Sequence, residues 1–315
     1  MLNRRQLRVK VLQVLYAYHS SEDKVAKVFE KKLLESVDEV YEMYIYLLGL
    51  LVDVADYVLI DANERANKHR PSEADLNANT RLNTNKFIQL LRENPAYQAN
   101  AKKYSLASSL DLEVTKQIFN ILKESETYQN YLESEDTSLR AEKDIIKFIY
   151  KKIIRVTPGI EQTFEEKFIN WPVDKEVLEA MLAKTFSNFQ SEVPTENKLA
   201  LISSSWSEDR DFIIDLFSRV IAFDEEFQRF ISDKTKNWEA DRIAIIDILL
   251  MKMAIAELIH FQGIPVKVTM NEYIEIAKEF STPKSNLFIN GILDKILADL
   301  KAAGKVRKTG RGLIE

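Results

Sequence analysis

The chain has 315 residues, 46% of them hydrophobic, which is enough for two or three domains with real cores. It has no cysteine, which excludes disulfides, thiolate metal sites and a cysteine nucleophile. The net charge of −5 is uneven: residues 1–20 carry Arg4, Arg5, Arg8 and Lys10 and no acid, and residues 296–315 are basic on balance, so an acidic body has two basic ends.

Only seven Gly and seven Pro occur, helical periodicity recurs along the chain and strand-like alternation does not. The expected fold class is therefore all-α. A first helix is predicted over about 3–19, with Leu7, Val11, Val14, Leu15 and Tyr18 on one face. The apolar segment after Arg8 is short and contains Gln13, so no signal peptide is expected and a cytoplasmic location fits. A longer helix follows over about 24–62. Six asparagines between Ile60 and Lys86 then read as a long loop. Further helices are predicted over about 86–93, 111–133, 139–155, 174–190 and 209–232, with Thr157-Pro158-Gly159, Trp171-Pro172 and Val193-Pro194 as punctuation. No internal repeat is found.

A helix over about 239–261 is apolar nearly all round, with Ile243, Ile246, Leu250, Met253, Ile255 and Leu258. Asp247, Lys252 and Glu257 would be expensive in a bilayer, so the spacing points to the buried centre of a helical bundle and not to a membrane span. Two helices close the chain. Thr269-Met270-Asn271-Glu272 has the form of a capping box, flanked by Val268 and Tyr273 as a hydrophobic staple. Thr282-Pro283 is expected to start the last helix, whose buried stripe is Ile289, Ile292, Leu293, Ile296, Leu297 and Leu300. Gly291 inside that helix costs about 1 kcal/mol against alanine. Close helix packing or a ligand approaching the backbone would account for it.

Residues 264–296 resemble the closing segment of the NusB family. The match is carried by Pro265, Lys267, Val268, Asn271, Glu272, Ile274, Ala277, Lys278 and Phe280, then Ser285, Phe288, Asn290, Gly291, Leu293, Asp294 and Lys295. Asp247, Ala254, Glu257 and Leu258 are similar to the family's central helix, which commonly has Arg where this chain has Ile248. Arg4, Arg5, Arg8, Gln13, Leu15 and Tyr16 are similar to its first helix. The resemblance covers about 1–22 and 207–300. It implies a pair of packed helical bundles with extra helices inserted after the first one: a basic first helix over 1–22, an insertion or expanded bundle over 23–206, a C-terminal bundle over 207–303 and a flexible basic tail over 304–315.

The function implied by the resemblance is transcription antitermination, by binding boxA-like single-stranded RNA of rRNA transcripts together with NusE, a small-subunit ribosomal protein, on the RNA polymerase elongation complex. Arg4, Arg5 and Arg8 lie three and four apart on one helix and would bind phosphates, for which guanidinium groups suit. Lys284 and Ser285 in the first turn of the last helix would add an anion site. Tyr16 and Phe288 would stack on bases, and Asn290 would meet a base edge or bond between helices. Tyr18 falls on the apolar stripe and is expected in the core.

No catalytic, metal or cofactor site is expected, and no membrane partner. His19, His69 and His260 have no metal-ligand spacing, and no phosphate-binding glycine loop occurs. Two alternatives stand beside the RNA factor. One is a protein scaffold that has lost RNA binding. The other is an accessory module related to rRNA methyltransferases, which would need a catalytic cysteine and a further domain.

Overall fold

Why so long a chain with so few turn residues folds at all is answered by how its helices are capped and pinned. The computed structural model describes residues 1–106, 111–236 and 243–313. Among them the chain forms fifteen α-helices and no strand, as the periodicity predicts. The helices divide into a terminal unit, Leu2–Asp38 with Ser203–Glu315, and a middle unit, Glu39–Ile202 with Met1.

The terminal unit opens with α1 (Arg4–Ser20), started by a reciprocal cap. The Asn3 side chain accepts from the Gln6 amide at 3.0 Å and the Asn3 amide donates to Gln6 Oε1 at 2.8 Å. Tyr18, expected in the core, is half-buried at its edge, with its ring edge-on to Phe29 and Phe217 and its hydroxyl donating to the Lys24 carbonyl at the surface. The long α2 (Ala26–Ala66) begins in this unit and continues as the central element of the middle one. By length and composition α2 could cross a membrane, yet 72% of its apolar window is buried within the fold.

In the middle unit Met43, Tyr44, Ile45, Leu47, Leu48, Leu51, Val54 and Ala55 of α2 are fully buried. Each such aliphatic side chain contributes about 1.5–3 kcal/mol by leaving water. Around α2 lie α3 (Glu73–Leu76), α4 (Lys86–Arg92), α5 (Pro95–Lys103), α6 (Leu112–Lys123), α7 (Glu126–Glu133), α8 (Leu139–Phe148), α9 (Pro158–Lys167) and α10 (Trp171–Asn188). The asparagine-rich stretch is pinned at several points. Asn83 donates to Asp56 at 2.7 Å, and Asn85 caps α4 and donates to the Glu142 carbonyl at 2.9 Å. Arg81 lies over the Tyr131 ring and donates to the carbonyls of Tyr131, Ser134 and Asp136.

Several boundaries differ from the sequence expectation, each for a local reason. The helix expected over 111–133 is two, because Ser125 donates to the Leu122 carbonyl and caps the next helix at the Tyr128 amide. The one expected over 139–155 turns into a π-helical segment at Ile149–Ile154. Helices α5 and α9 lie outside the expected set, and α10 begins three residues early. All three carry proline at N1 or N2, where its missing N–H costs nothing, so these prolines start helices and do not end them.

The remainder of the terminal unit is α11 (Trp206–Ala222), α12 (Asp224–Lys234), α13 (Ile245–His260), α14 (Val266–Phe280) and α15 (Ser285–Ala302). The helix expected over 209–232 is thus two, and the acids Asp224, Glu225 and Glu226 occupy the first turn of the second, where a helix dipole favours them. Helix α13 packs against α1, α11, α12, α14 and α15, and is buried on every face, as its all-round apolar pattern predicts. The expected start of that helix at 239–242 lies outside the described residues.

Three expectations at the C-terminus are corrected. Helix α14 starts at Val266 after Pro265, so Thr269 is not its cap; Thr269 is buried in the second turn and donates to Glu257. Helix α15 starts at Ser285, and Thr282 forms a turn before it, its carbonyl accepting from the Ser285 amide at 2.9 Å. The basic tail, expected to be flexible, is attached: Lys308 donates to the Glu257 and Phe261 carbonyls and the Thr309 amide to the Gln262 carbonyl.

Candidate nucleic-acid interface

The terminal unit is organised around one fully buried carboxylate, Glu257 on α13. Arg8 donates to it twice, from Nε at 2.8 Å and Nη2 at 2.7 Å. Thr269 and Tyr273 of α14 donate to its two oxygens at 2.8 and 3.1 Å. Burial alone would lower the Arg8 pKa, but the hydrogen bonds and charge of Glu257 outweigh it and the guanidinium titrates above its ordinary value. Arg8 is 1% exposed. It is therefore not a phosphate contact, against the expectation that it shares a solvated face with Arg4 and Arg5. Its partner lies 249 residues away, so no local pattern reveals it.

Arg4 and Arg5 remain at the surface, above this buried pair. Arg4 is 3.1 Å from Asp209 and its guanidinium lies 4.4 Å over the Phe212 ring. Arg5 makes a two-bond contact to Glu272, at 3.0 and 2.9 Å. They line a groove of about 1010 Å³ within the terminal unit, together with Phe212, Phe261 and Arg311. Glu208, Asp211, Asp215 and Glu272 also line it, so the groove is balanced in charge and is not a basic channel. A guanidinium over an aromatic ring, beside exchangeable carboxylates, can give up an acid for a phosphate while the ring supports a base. Sequence reasoning missed Phe212 and Phe261, and placed Arg311 in a flexible basic tail. Phe212 stands three residues after Asp209 on α11, and that i, i+3 spacing was the available signal.

The other predicted residues lie elsewhere. Tyr16 is 45% exposed but sits eleven residues beyond Arg5 on α1, about 16 Å along the helix. Lys284 is exposed at the N-cap of α15, and Phe288 and Asn290 are partly exposed in its first two turns. Ser285 is buried and donates to Asp247 at 2.7 Å, so its hydroxyl fastens α15 to α13 and offers no anion site. Asp247 and Glu257 are ten residues apart on α13, about 15 Å. The two predicted edges thus hang from opposite ends of one buried helix, and none of Tyr16, Lys284, Ser285, Phe288 and Asn290 lines the groove. Gly291 is exposed and an added Cβ would meet nothing within 4 Å, so close helix packing is not its reason.

The NusB family model matches residues 176–298, from within α10 to near the end of α15. The chain is 42% identical over 144 residues to the transcription antitermination protein NusB of Salinibacter ruber, covering 44% of this chain and 90% of that protein. It is 44% identical over 106 residues to the NusB of Chloroherpeton thalassium, covering 34% and 50%. It is 42% identical over 95 residues to that of Geobacter sulfurreducens, covering 30% and 69%. No solved structure matches the chain.

Proposed function

The chain belongs to the NusB family, and from that premise we propose that it is a transcription antitermination factor that binds single-stranded, boxA-like RNA of rRNA transcripts. It acts by binding, with no chemical step. The observation that carries the reading is the groove in which Arg4, Arg5 and Phe212 meet, at the start of α1 and the side of α11. Arg4 and Arg5 hold phosphates, each exchanging its carboxylate for an RNA oxygen. Tyr16, Lys284, Phe288 and Asn290 take nucleotides beyond the groove. NusE and the RNA polymerase elongation complex are the partners through which bound RNA would affect termination, and the cytoplasm is where these meet.

The acids in the groove favour a second reading, a scaffold for proteins, in which Arg4 and Arg5 keep their internal partners. Binding of a boxA-like RNA and of a scrambled RNA across a salt series, with and without NusE, separates the two. The RNA factor prefers the boxA-like strand and weakens with salt at a log–log slope near −0.7 per phosphate contacted. Equal affinity for both strands would remove the sequence preference. Absence of binding at low salt, even with NusE, supports the scaffold.

A further inference from the structure

The groove is edged by the C-terminal tail, and the attachment of that tail is built from specific residues. Lys305 pairs with Glu226 at 2.7 Å and sits 5.0 Å over the Phe230 ring. Lys308 donates at 3.2 Å to the Glu257 carbonyl and at 2.9 Å to that of Phe261, where a cation meets the negative end of the α13 dipole. The Thr309 amide donates to the Gln262 carbonyl at 3.0 Å. Gly310 has φ +54°, in the left-handed region that favours glycine. Gly312 passes so close to Gln262 that a Cβ would stand 1.9 Å from its carbonyl oxygen. No side chain fits there without moving the strand of backbone it touches.

The turn Gly310–Leu313 presents Arg311 to the groove, exposed to solvent. Its neighbours are all engaged: Arg4 with Asp209, Arg5 with Glu272 and Arg8 with Glu257. Among the described residues, no carboxylate is within salt-bridge distance of Arg311. A phosphate approaching the groove must break an ion pair to reach Arg4 or Arg5, but not to reach Arg311. We infer that residues 308–312 form a strap that is part of the RNA interface, holding Arg311 as the groove's uncommitted phosphate-binding guanidinium. The inference rests on the RNA-binding reading above. Its ligand is the phosphodiester backbone of a single strand, which a guanidinium meets with two parallel hydrogen bonds.

The test uses the full chain and a labelled single-stranded boxA-like RNA across a salt series. Arg311→Gln should reduce the slope by about 0.7, one phosphate on a single strand, and Arg311→Lys should retain it. Gly312→Val, which dislodges the strap, should lose the same slope and let trypsin cut after Arg307 and Lys308, whereas the wild-type backbone, pinned through Lys308 and Thr309, resists. If Arg311→Gln keeps the full slope while Arg4→Gln/Arg5→Gln loses it, the strap is no part of the interface and the RNA reading stands. If the wild-type chain binds no RNA at low salt, the RNA reading falls and the inference with it. Rapid tryptic loss of the wild-type tail would overturn the strap.

Discussion

Arg5 and Arg8 are three residues apart and belong to different parts of the molecule. Arg8 satisfies the buried Glu257 and is enclosed by the core, whereas Arg5 reaches a partly exposed acid at the groove. Removing one partner of a buried, hydrogen-bonded pair leaves the other uncompensated and typically costs about 3–5 kcal/mol. Arg8→Ala should therefore lower stability to chemical denaturation by that order, and Arg4→Ala or Arg5→Ala by no more than about 1 kcal/mol, as for exposed pairs. Equal denaturation midpoints for Arg8→Ala and wild type would refute a stabilising role for the buried Arg8–Glu257 pair. Gly291 gives a prediction of opposite sign. With open space where a Cβ would sit and helical backbone around it, Gly291→Ala should raise stability by about 0.4–1 kcal/mol. A loss in thermal melts would reveal a packing contact that the structure lacks.

At the scale of elements, what was legible depended on whether the signal was local. The stripe on α1 and the all-round apolar pattern of α13 are local; α1 forms as read, and α13 forms as a buried helix that starts at Ile245, later than expected. The Asn3 cap closes within three residues, yet the start of α14 was misread because Thr269 and Glu272 fit a cap while serving distant partners, Glu257 and Arg5. Ser285 was misread as an anion site for the same reason: its acceptor, Asp247, is 38 residues away. Helix α2 carries a consequence for pH. Burial, with the charges of Asp56 and Asp111 adding to it, pushes the Asp53 carboxyl up to about 7, from an unfolded value near 3.9. Between those values the folded chain binds more protons than the unfolded one, so stability falls as pH rises from about 4 to 7. Asp53→Asn should melt higher than wild type at pH 7.5, by on the order of 1–2 kcal/mol after solvent screening, and match it near pH 4. A constant difference across that range would show that Asp53 is not the titrating group.

For the molecule as a whole, the two units differ in charge and in relatedness. The middle unit is acidic and the terminal unit close to neutral. The family match runs over residues 176–298, which include the whole of α11, α13 and α14, the helices that meet α1 around Glu257. Residues 39–175 lie outside the matched segment, and their acidity argues against a second polyanion site there. The proposed RNA site is thus local to the terminal unit, at Arg4, Arg5 and Phe212, above a buried Arg8–Glu257 pair that holds the helices together. The most direct measurement is the salt dependence of binding to a boxA-like single strand for wild type and for the Arg4→Gln/Arg5→Gln double variant. The double variant should stay folded and lose about 1.4 from the log–log slope, two phosphates' worth. A folded double variant with the wild-type slope would contradict the proposed site.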